Sequence, residues 1–441
     1  MAYFHSLSNK WLLNNTDKKP CKINTTKKYR FKQLDELKKQ LDNSKSKLDT
    51  EHKKYKFNVF WSNCDPFKYE KYTVAQIGCT LNVSNAWIKC FELVRSFELI
   101  ENIKIVDNFL HFDNAAFPGS FIVATHHLVN TLYPNDSYKY QWKGSCLLDA
   151  NEQNANPLED KYKLYANYKN NWLMTENNNG DVLNENNQLD FYKQLEQKVD
   201  LYTSDLGFDV SSDYNNQEKI QHQANIGQIL SGLLTLKKGG CFITKQYTTM
   251  EPTTIAIMYA TASFFDEFYL CKPFTSRMAN SETYLVGKGF KYDADTPDTC
   301  ILAKSPKSPK SPKKTKKSSK PSKNIIDHPY IQAMFDKITG RTSIDIPIFN
   351  AKQYPDNFIK KIIDATEELT KLQINKLDLD IIRCNKCING RFKGKPREDP
   401  VISEFYDSIE PQIVEWYELN PILPITKKLD MIDAFNQTKS N

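Results

Sequence analysis

NFLHFDNAAFPGSFIVATHHLVNTL, residues 108–132, is the stretch on which the fold turns. A short apolar run ends in Asp113, a tight turn passes through Pro118-Gly119, and an apolar helical pattern follows. A strand that turns sharply into a helix aims backbone N–H groups and a helix N-terminus at whatever lies above the turn. An acid at the strand end can then hold a ligand's ammonium or hydroxyl groups. Pro-Gly also occurs in ordinary βα turns, so the pattern needs others beside it.

Those others follow in order. KVDLYTSDLGFDV (198–210) is again a strand running into an acid, Asp205, with Gly207 just beyond. A helix is expected over 218–236, with Ile220, Ala224, Ile226, Ile229, Leu230, Leu233 and Leu234 as its apolar face. KKGGCFITKQY (237–247) turns through Gly239-Gly240 into a strand that exits at Lys245. A lysine in an apolar strand is costly unless it snorkels or is paired. FFDEFYLCKPFTSRMANSETYLVGKGF (264–290) reads as two strands joined by a polar loop, with Ser281-Glu282 where the second begins. Short apolar runs alternating with helical patterns over 58–292 predict βαβ units and a mostly parallel sheet. Singly, each charged residue reads as a solvated strand end. In sequence along one sheet, they gather at the strand carboxyl ends, where open α/β sheets place their sites.

Around this region the composition changes. Residues 1–57 form a polar, basic segment, within which FKQLDELKKQLDNSKSKLDTEHKKY (31–55) sets Leu34, Leu37, Leu41 and Leu48 at helical spacing. An asparagine-rich stretch, 151–190, reads as an insertion. Residues 293–324 are an extended linker built on a Lys-Ser-Pro repeat, where recurring proline and uniform charge forbid a packed element. Residues 325–441 regain globular composition, with helical patterns such as YPDNFIKKIIDATEELTKLQ (354–373), and read as a small, mainly helical C-terminal domain.

The chain has 441 residues, 40% hydrophobic and 26% charged, enough for about two or three domains at roughly 150 residues each. No run approaches the ~20 apolar residues of a membrane span, and the mean hydropathy is −0.61. MAYFHSLSNKWLLNN lacks the basic and long apolar regions of a signal peptide, so an intracellular, soluble protein is expected, with no membrane partner. Ten scattered cysteines do not make a disulfide scaffold, and Cys384-Cys387 is one CxxC without the companions that a zinc site of about four ligands needs. No metal is expected.

The net charge of +7 conceals an asymmetry. Residues 18–56 and 304–323 each carry +9, so the remainder sums to −11. Two basic segments on an acidic body point to a polyanionic partner, or to lysines that serve solubility.

Residues 85–291 resemble the FtsJ-like RNA 2′-O-methyltransferases, particularly the cap-specific branch of eukaryotes and large DNA viruses. DNAAFPGSF (113–121) looks like that family's acid-to-Pro-Gly-x-Phe cofactor turn, and DLGFDV (205–210) is similar to its Asp-Gly-Gly-Phe motif. LKKGGCFITKQY (236–247) looks like its Gly-Gly-x-Phe-x-x-Lys strand. KPFTSRMANSETYLVGKGFK (272–291) matches its Lys-Pro-x-x-Ser-Arg-x-x-Asn-Ser-Glu-x-Tyr signature most closely. The resemblance implies a Rossmann-like fold with a seven-stranded sheet and helices on both faces. It implies S-adenosyl-L-methionine (SAM) as cofactor, held by Asp113, Phe117, Pro118, Gly119, Ser120 and Phe121, with Asp181 of a Gly-Asp pair on the adenine amino group. It also implies a Lys-Asp-Lys-Glu catalytic tetrad, which falls on Lys89, Asp205, Lys245 and Glu282. Lys89 lies in NAWIKCFELV (85–94) and is matched by position rather than motif. Phe117 and Ser120 flank Pro118-Gly119 where the family carries glycine, and Leu206 follows the acid in place of another. Side chains there are expected to crowd the cofactor's amino-acid end.

Such a tetrad suits the chemistry. A ribose 2′-hydroxyl is a poor nucleophile that must lose its proton during attack. A lysine can take that proton only if its pKa is depressed, as by a neighbouring cation. The resemblance implies RNA as the partner, most specifically capped mRNA, within a capping or transcription machinery. Ribosomal RNA is the alternative substrate, and a catalytically silent RNA-binding subunit the alternative role. Abundant aromatics suit base stacking. The Asn- and Lys-rich composition fits an AT-rich viral genome, hence action in a host cytoplasm or a virion.

Overall fold

The structure is a computed structural model, and it describes residues 8–14, 22–24, 26–48, 57–58, 60–68, 71, 83–101, 108–133, 139–147, 159–208, 210, 213–292, 325–387 and 399–424. The expected linker, 293–324, lies outside the described residues, as do parts of the expected insertion and C-terminal domain.

A seven-stranded sheet runs in the order β1-β6-β7-β5-β4-β2-β3. The strands are β1 (Ser8–Leu12), β2 (Asn108–Asn114), β3 (Lys139–Ser145), β4 (Val199–Ser204), β5 (Leu236–Gln246), β6 (Phe265–Pro273) and β7 (Thr283–Phe290). The half from β3 to β5 is parallel throughout, as the alternating pattern predicts. The other half is antiparallel: β7 lies between β5 and β6 and runs against both, and β1 runs against β6. The sheet is therefore mixed rather than mostly parallel. The reason is local, because β6 and β7 are joined by a loop too short for a crossover and so pair antiparallel.

Alternation along the strands sorts side chains onto two faces. On β5, Cys241 and Ile243 join one buried cluster while Phe242 joins the other. The first cluster is covered by α2 (Asn85–Ser96) and α3 (Ser120–Leu132), through Phe91, Val94, Ile122 and Val129. The second is covered by α4 (Glu185–Gln194), α5 (Gln217–Thr235) and α6 (Pro252–Ala262), through Phe191, Leu230, Leu233 and Ile257. Helix α5 matches its expected span, with one exception: Ile220 is 42% exposed rather than part of the apolar face.

The basic N-terminal segment is not an appendage. Its residues 8–12 supply the edge strand, and α1 (Lys32–Lys45) buries Leu34, Leu37 and Leu41 in the second cluster. The C-terminal residues are not a separate core either. Helices α7 (Pro329–Ile338), α8 (Asp356–Lys386) and α9 (Pro400–Leu419) place Met334, Phe335, Phe358, Ile362 and Phe405 in that same cluster. Helix α1 packs along α8, and α7 against α5. Amphipathic helices need an apolar partner, and here the sheet's helical layer provides it. Among the described residues no helix is long and apolar enough to cross a membrane, and no group of His, Cys, Asp and Glu could hold a metal ion. Cys384 and Cys387 are buried in the core.

Candidate active site

Four titratable residues from four elements meet at the carboxyl edge of the sheet. Helix α2 starts where the Ser84 side chain accepts from Trp87 N, an N-cap that fixes the helix's rotation. It thereby turns Lys89 inward, where the residue is only 8% exposed. Lys89 Nζ donates to both carboxylate oxygens of Glu282, at 3.0 Å each, and lies 3.9 Å from Asp205 Oδ2. Lys245, at the end of β5, sits 3.0 Å from Asp205 Oδ1 and donates to the Asp205 carbonyl at 2.9 Å. The order is thus Glu282–Lys89–Asp205–Lys245, cation and anion alternating.

The surroundings explain how four charges, two buried and two half-buried, persist together. Burial opposes charge on Lys245, but the nearby Asp205 and Glu282 carboxylates and the hydrogen bond to Asp205 outweigh it and hold its pKa above the ordinary lysine value. Burial likewise opposes charge on Glu282, yet the ammonium groups of Lys89, Lys245 and Lys272 hold its carboxyl well below the usual range. The hydroxyl of Tyr284 donates to Asp205 Oδ1 at 2.7 Å, and Ser276 Oγ donates to Glu282 Oε1 at 2.8 Å.

The loop carrying Glu282 is held by two further buried charges. Glu92, one turn after Lys89, accepts from Phe274 N at 2.7 Å, Thr275 N at 2.9 Å and Thr275 Oγ1 at 2.6 Å. Lys272 donates across the loop to the carbonyls of Arg277, Asn280 and Glu282 and to Asn280 Oδ1. Helix α8 reaches the same loop, where Gln373 Nε2 donates to the Ala279 carbonyl at 3.0 Å. Ser276, Asn280 and Tyr284 lie within the 272–291 signature and were readable there as motif positions, though not as partners. Glu92 carries no such signal, since its partners are 182 and 183 residues away.

The expected cofactor turn sits beside these groups. Gly119 has φ +108° and caps α3, and a Cβ added there would fall 2.3 Å from Leu164 Cδ1. The two flanking residues are both engaged by neighbours within the protein. The Phe117 ring lies against Tyr165 and Trp172, with centroids 6.4 and 6.2 Å away. Ser120 is buried and shares its hydroxyl with Ser84 at 2.9 Å and Tyr162 at 3.3 Å, tying the starts of α2 and α3 together. Phe121 is buried in the core behind the turn. Asp113, one residue before the end of β2, is fully buried, its carboxyl pushed well up by burial and Asp205 against the hydroxyl of Thr203 at 2.7 Å. Asp181 follows Gly180, whose backbone packs on the Cys146 carbonyl just past β3. Its side chain accepts from Leu183 N at 2.9 Å, closing an Asx turn.

The residues present fit a polar cofactor. Asn114 and Ser145 face each other across the last registered pair of β2 and β3, and both are buried. Asn114 Nδ2 and Ser145 Oγ have no hydrogen-bond partner among the described residues. Such groups cost about 1–3 kcal/mol each unless a ligand or water pairs them. We expect Gly119→Ala to weaken SAM binding tenfold or more by calorimetry, since the left-handed backbone and Leu164 both resist a side chain. Unchanged affinity would remove the turn from the cofactor site.

Residues 82–290 match the model of the FtsJ-like methyltransferase family. This segment is similar to the FtsJ-like methyltransferases. Enzymes of this family use SAM. The matched segment is flanked by the N- and C-terminal elements that share its core. The chain is 35% identical over 268 residues to "Probable methyltransferase EP424R" of African swine fever virus, covering 58% of this chain and 60% of that one. It is 28% identical over 221 residues to "Cap-specific mRNA (nucleoside-2'-O-)-methyltransferase 2" of Drosophila melanogaster, covering 49% and 31%. The mouse protein of the same name is 28% identical over 179 residues, covering 40% and 23%. The chain thus spans about three-fifths of its viral relative and less of the animal ones.

Proposed function

We propose that this protein transfers a methyl group to a ribose 2′-hydroxyl of RNA, at the cap-proximal nucleotide of mRNA. The observation that carries the reading is the convergence of Lys89, Asp205, Lys245 and Glu282 in one chain of ion pairs, with links of 3.0 to 3.9 Å. In this reading Lys245 takes the hydroxyl proton. Lys89 supplies the second cation that favours proton release, and Asp205 and Glu282 orient the two ammonium groups. Asn114, Ser145, Asp113 and the Gly119 turn would hold SAM, which supplies a methyl already activated on sulfonium, so alignment is the main task left to the protein. Asp181 would contact the adenine amino group. The cap-specific names of the animal relatives favour capped mRNA over ribosomal RNA.

Transfer of radiolabelled methyl from SAM to capped and uncapped RNA tests this, with the modified nucleotide mapped by mass spectrometry. Label at the 2′-oxygen next to the cap is the expected result. Label on ribosomal RNA alone would move the substrate, and absence of both transfer and SAM binding would leave only an RNA-binding role.

The Lys-Ser-Pro segment has a place in the same reading, as a tether for phosphates. Deleting 304–323 removes nine lysines. RNA affinity should fall and the salt dependence should become shallower, by about 0.7 in log–log slope for each single-strand phosphate that is no longer neutralised. Unchanged affinity would reduce the segment to a spacer.

A further inference from the structure

Helix α8 buries side chains that its own pattern does not call for. A long amphipathic helix turns an apolar stripe to its support, and α8 does so at Phe358, Ile362, Ala365 and Leu377. Between Ala365 and Leu377 the buried residues are instead Thr366, Thr370 and Gln373, which share one face at helical spacing. Burying a hydroxyl or a carboxamide is unfavourable unless it finds a hydrogen-bond partner. The partners found here lie in the two segments that carry catalytic side chains.

Gln373 Nε2 donates to the Ala279 carbonyl at 3.0 Å and to Ser281 Oγ at 3.2 Å, and the Ser281 hydroxyl lies 3.3 Å from Gln373 Oε1. Ser281 directly precedes Glu282. Lys272 gathers the carbonyls of Asn280 and Glu282, so every residue from Ala279 to Glu282 is tethered, alternately by α8 and by Lys272. Seven residues back along α8, Thr366 Oγ1 donates to the Ile362 carbonyl at 2.6 Å and is left to accept from Thr249 Oγ1 at 2.7 Å. Thr249 lies four residues beyond Lys245, past the end of β5. Thr370, between them, lines a narrow cleft with Thr248, Met278 and Asn280. The two segments also meet directly, where Thr283 Oγ1 donates to the Tyr247 carbonyl at 2.9 Å.

A loop tethered at its last four residues cannot shift its carboxylate without breaking several bonds at once. We propose that Gln373 is a positioning residue for methyl transfer, which through Ala279 and Ser281 fixes where Glu282 holds Lys89 in the charge chain. Thr366 does the same for Lys245 through the segment 247–250. Both side chains are buried and act through the residues they bond. Helix α8 lies outside the 82–290 match, so a helix beyond the matched segment sets the spacing between the proposed proton acceptor and its carboxylates. The inference rests on the methyl-transfer reading above and adds residues to it that no motif marks.

The test uses the full chain. Gln373→Met keeps the length of the side chain and removes its hydrogen bonds; Thr366→Val keeps the shape and removes the acceptor. Each should lower kcat for transfer to capped RNA about ten- to a hundredfold, the scale on which a misplaced group slows a reaction, with SAM affinity unchanged by calorimetry. The alkaline limb of kcat/KM should also move toward neutrality, because the Asp205 and Glu282 carboxylates, drawn away from Lys245, hold its proton less firmly. Loss of stability alone lowers the amount of active protein and leaves the limb in place. Hydrogen exchange followed by mass spectrometry should rise over 274–282 in Gln373→Met and over 247–251 in Thr366→Val, while β4 stays as protected as in the parent. Lys371→Gln, on the exposed side of the same helix, should change none of these. Variants with the parent's exchange, or with an unmoved limb, would overturn the proposal. No methyl transfer by the parent would sink the enzymatic reading and this role with it. Methyl transfer by the parent, matched by both variants, would sink this role alone.

Discussion

Replacing Lys245 with alanine is expected to lower methyl transfer by about a hundred- to ten-thousandfold while RNA and SAM binding persist. The size follows from what the side chain is asked to do. A positioned general base contributes on the order of 10²–10⁴ in rate, and Lys245 is the lysine closest to Asp205, 3.0 Å from its carboxylate and 2.9 Å from its carbonyl. Lys89 cannot take over, since both oxygens of Glu282 hold it at 3.0 Å. Binding should survive because Lys245 is 9% exposed and offers a ligand little surface. Lys245→Arg should fail as well: it keeps the charge, but guanidinium does not give up its proton in this range. Single-turnover transfer to capped RNA, alongside calorimetric SAM titration, separates the two effects. Turnover within tenfold of the parent would take the proton-accepting role from Lys245.

Which of these features the sequence discloses depends on how local the cause is. The strand, turn and helix over 108–132 are legible because each signal acts on its own neighbours: a short apolar run, a glycine that tolerates φ +108°, a helix behind it. Asp205, Lys245 and Glu282 are placed by the same logic at strand ends. The mixed sheet follows less directly, since nothing in SNKWL (8–12) announces an edge strand paired with residues some 260 positions later. The braces of the active-site loop are harder still. Glu92 looks like any helical surface acid until the fold brings Phe274 and Thr275 N–H groups over it. Lys272 sits in a recognisable signature, but its task of gathering carbonyls across the loop appears only once the loop has closed. The C-terminal helices read as a separate unit because their amphipathic pattern states that a partner exists without stating which.

The catalytic rate and the stability of the site should both depend on pH, and Glu282→Gln should expose both dependences. In the free protein the carboxylates of Asp205 and Glu282 hold Lys245 protonated beyond the ordinary lysine pKa, against the burial that would lower it. The reactive, deprotonated form is therefore scarce near neutrality, and kcat/KM should climb about tenfold per pH unit through the accessible alkaline range. A bound sulfonium is a further positive charge beside the amine and lowers its pKa, so the kcat limb should lie at lower pH than the kcat/KM limb. Removing the Glu282 charge takes away one cause of the raised pKa, and both limbs should move toward neutrality. The cost is stability. Glu282 is held ionised below the usual carboxylate range, so its contribution is complete above that range and is lost as the solution turns acid. Lys245, raised, contributes below the ordinary lysine pKa and loses its share only in strong alkali. At neutral pH, Glu282→Gln leaves Lys89 without its bidentate partner in a site where its side chain is 10% exposed. Breaking a buried pair in this way costs about 3 kcal/mol or more, read as a lower denaturant midpoint. The difference from the parent should shrink as pH falls below the carboxylate range. A flat rate profile, or a variant as stable as the parent at neutral pH, would mean that these charges do not set the lysine's proton affinity.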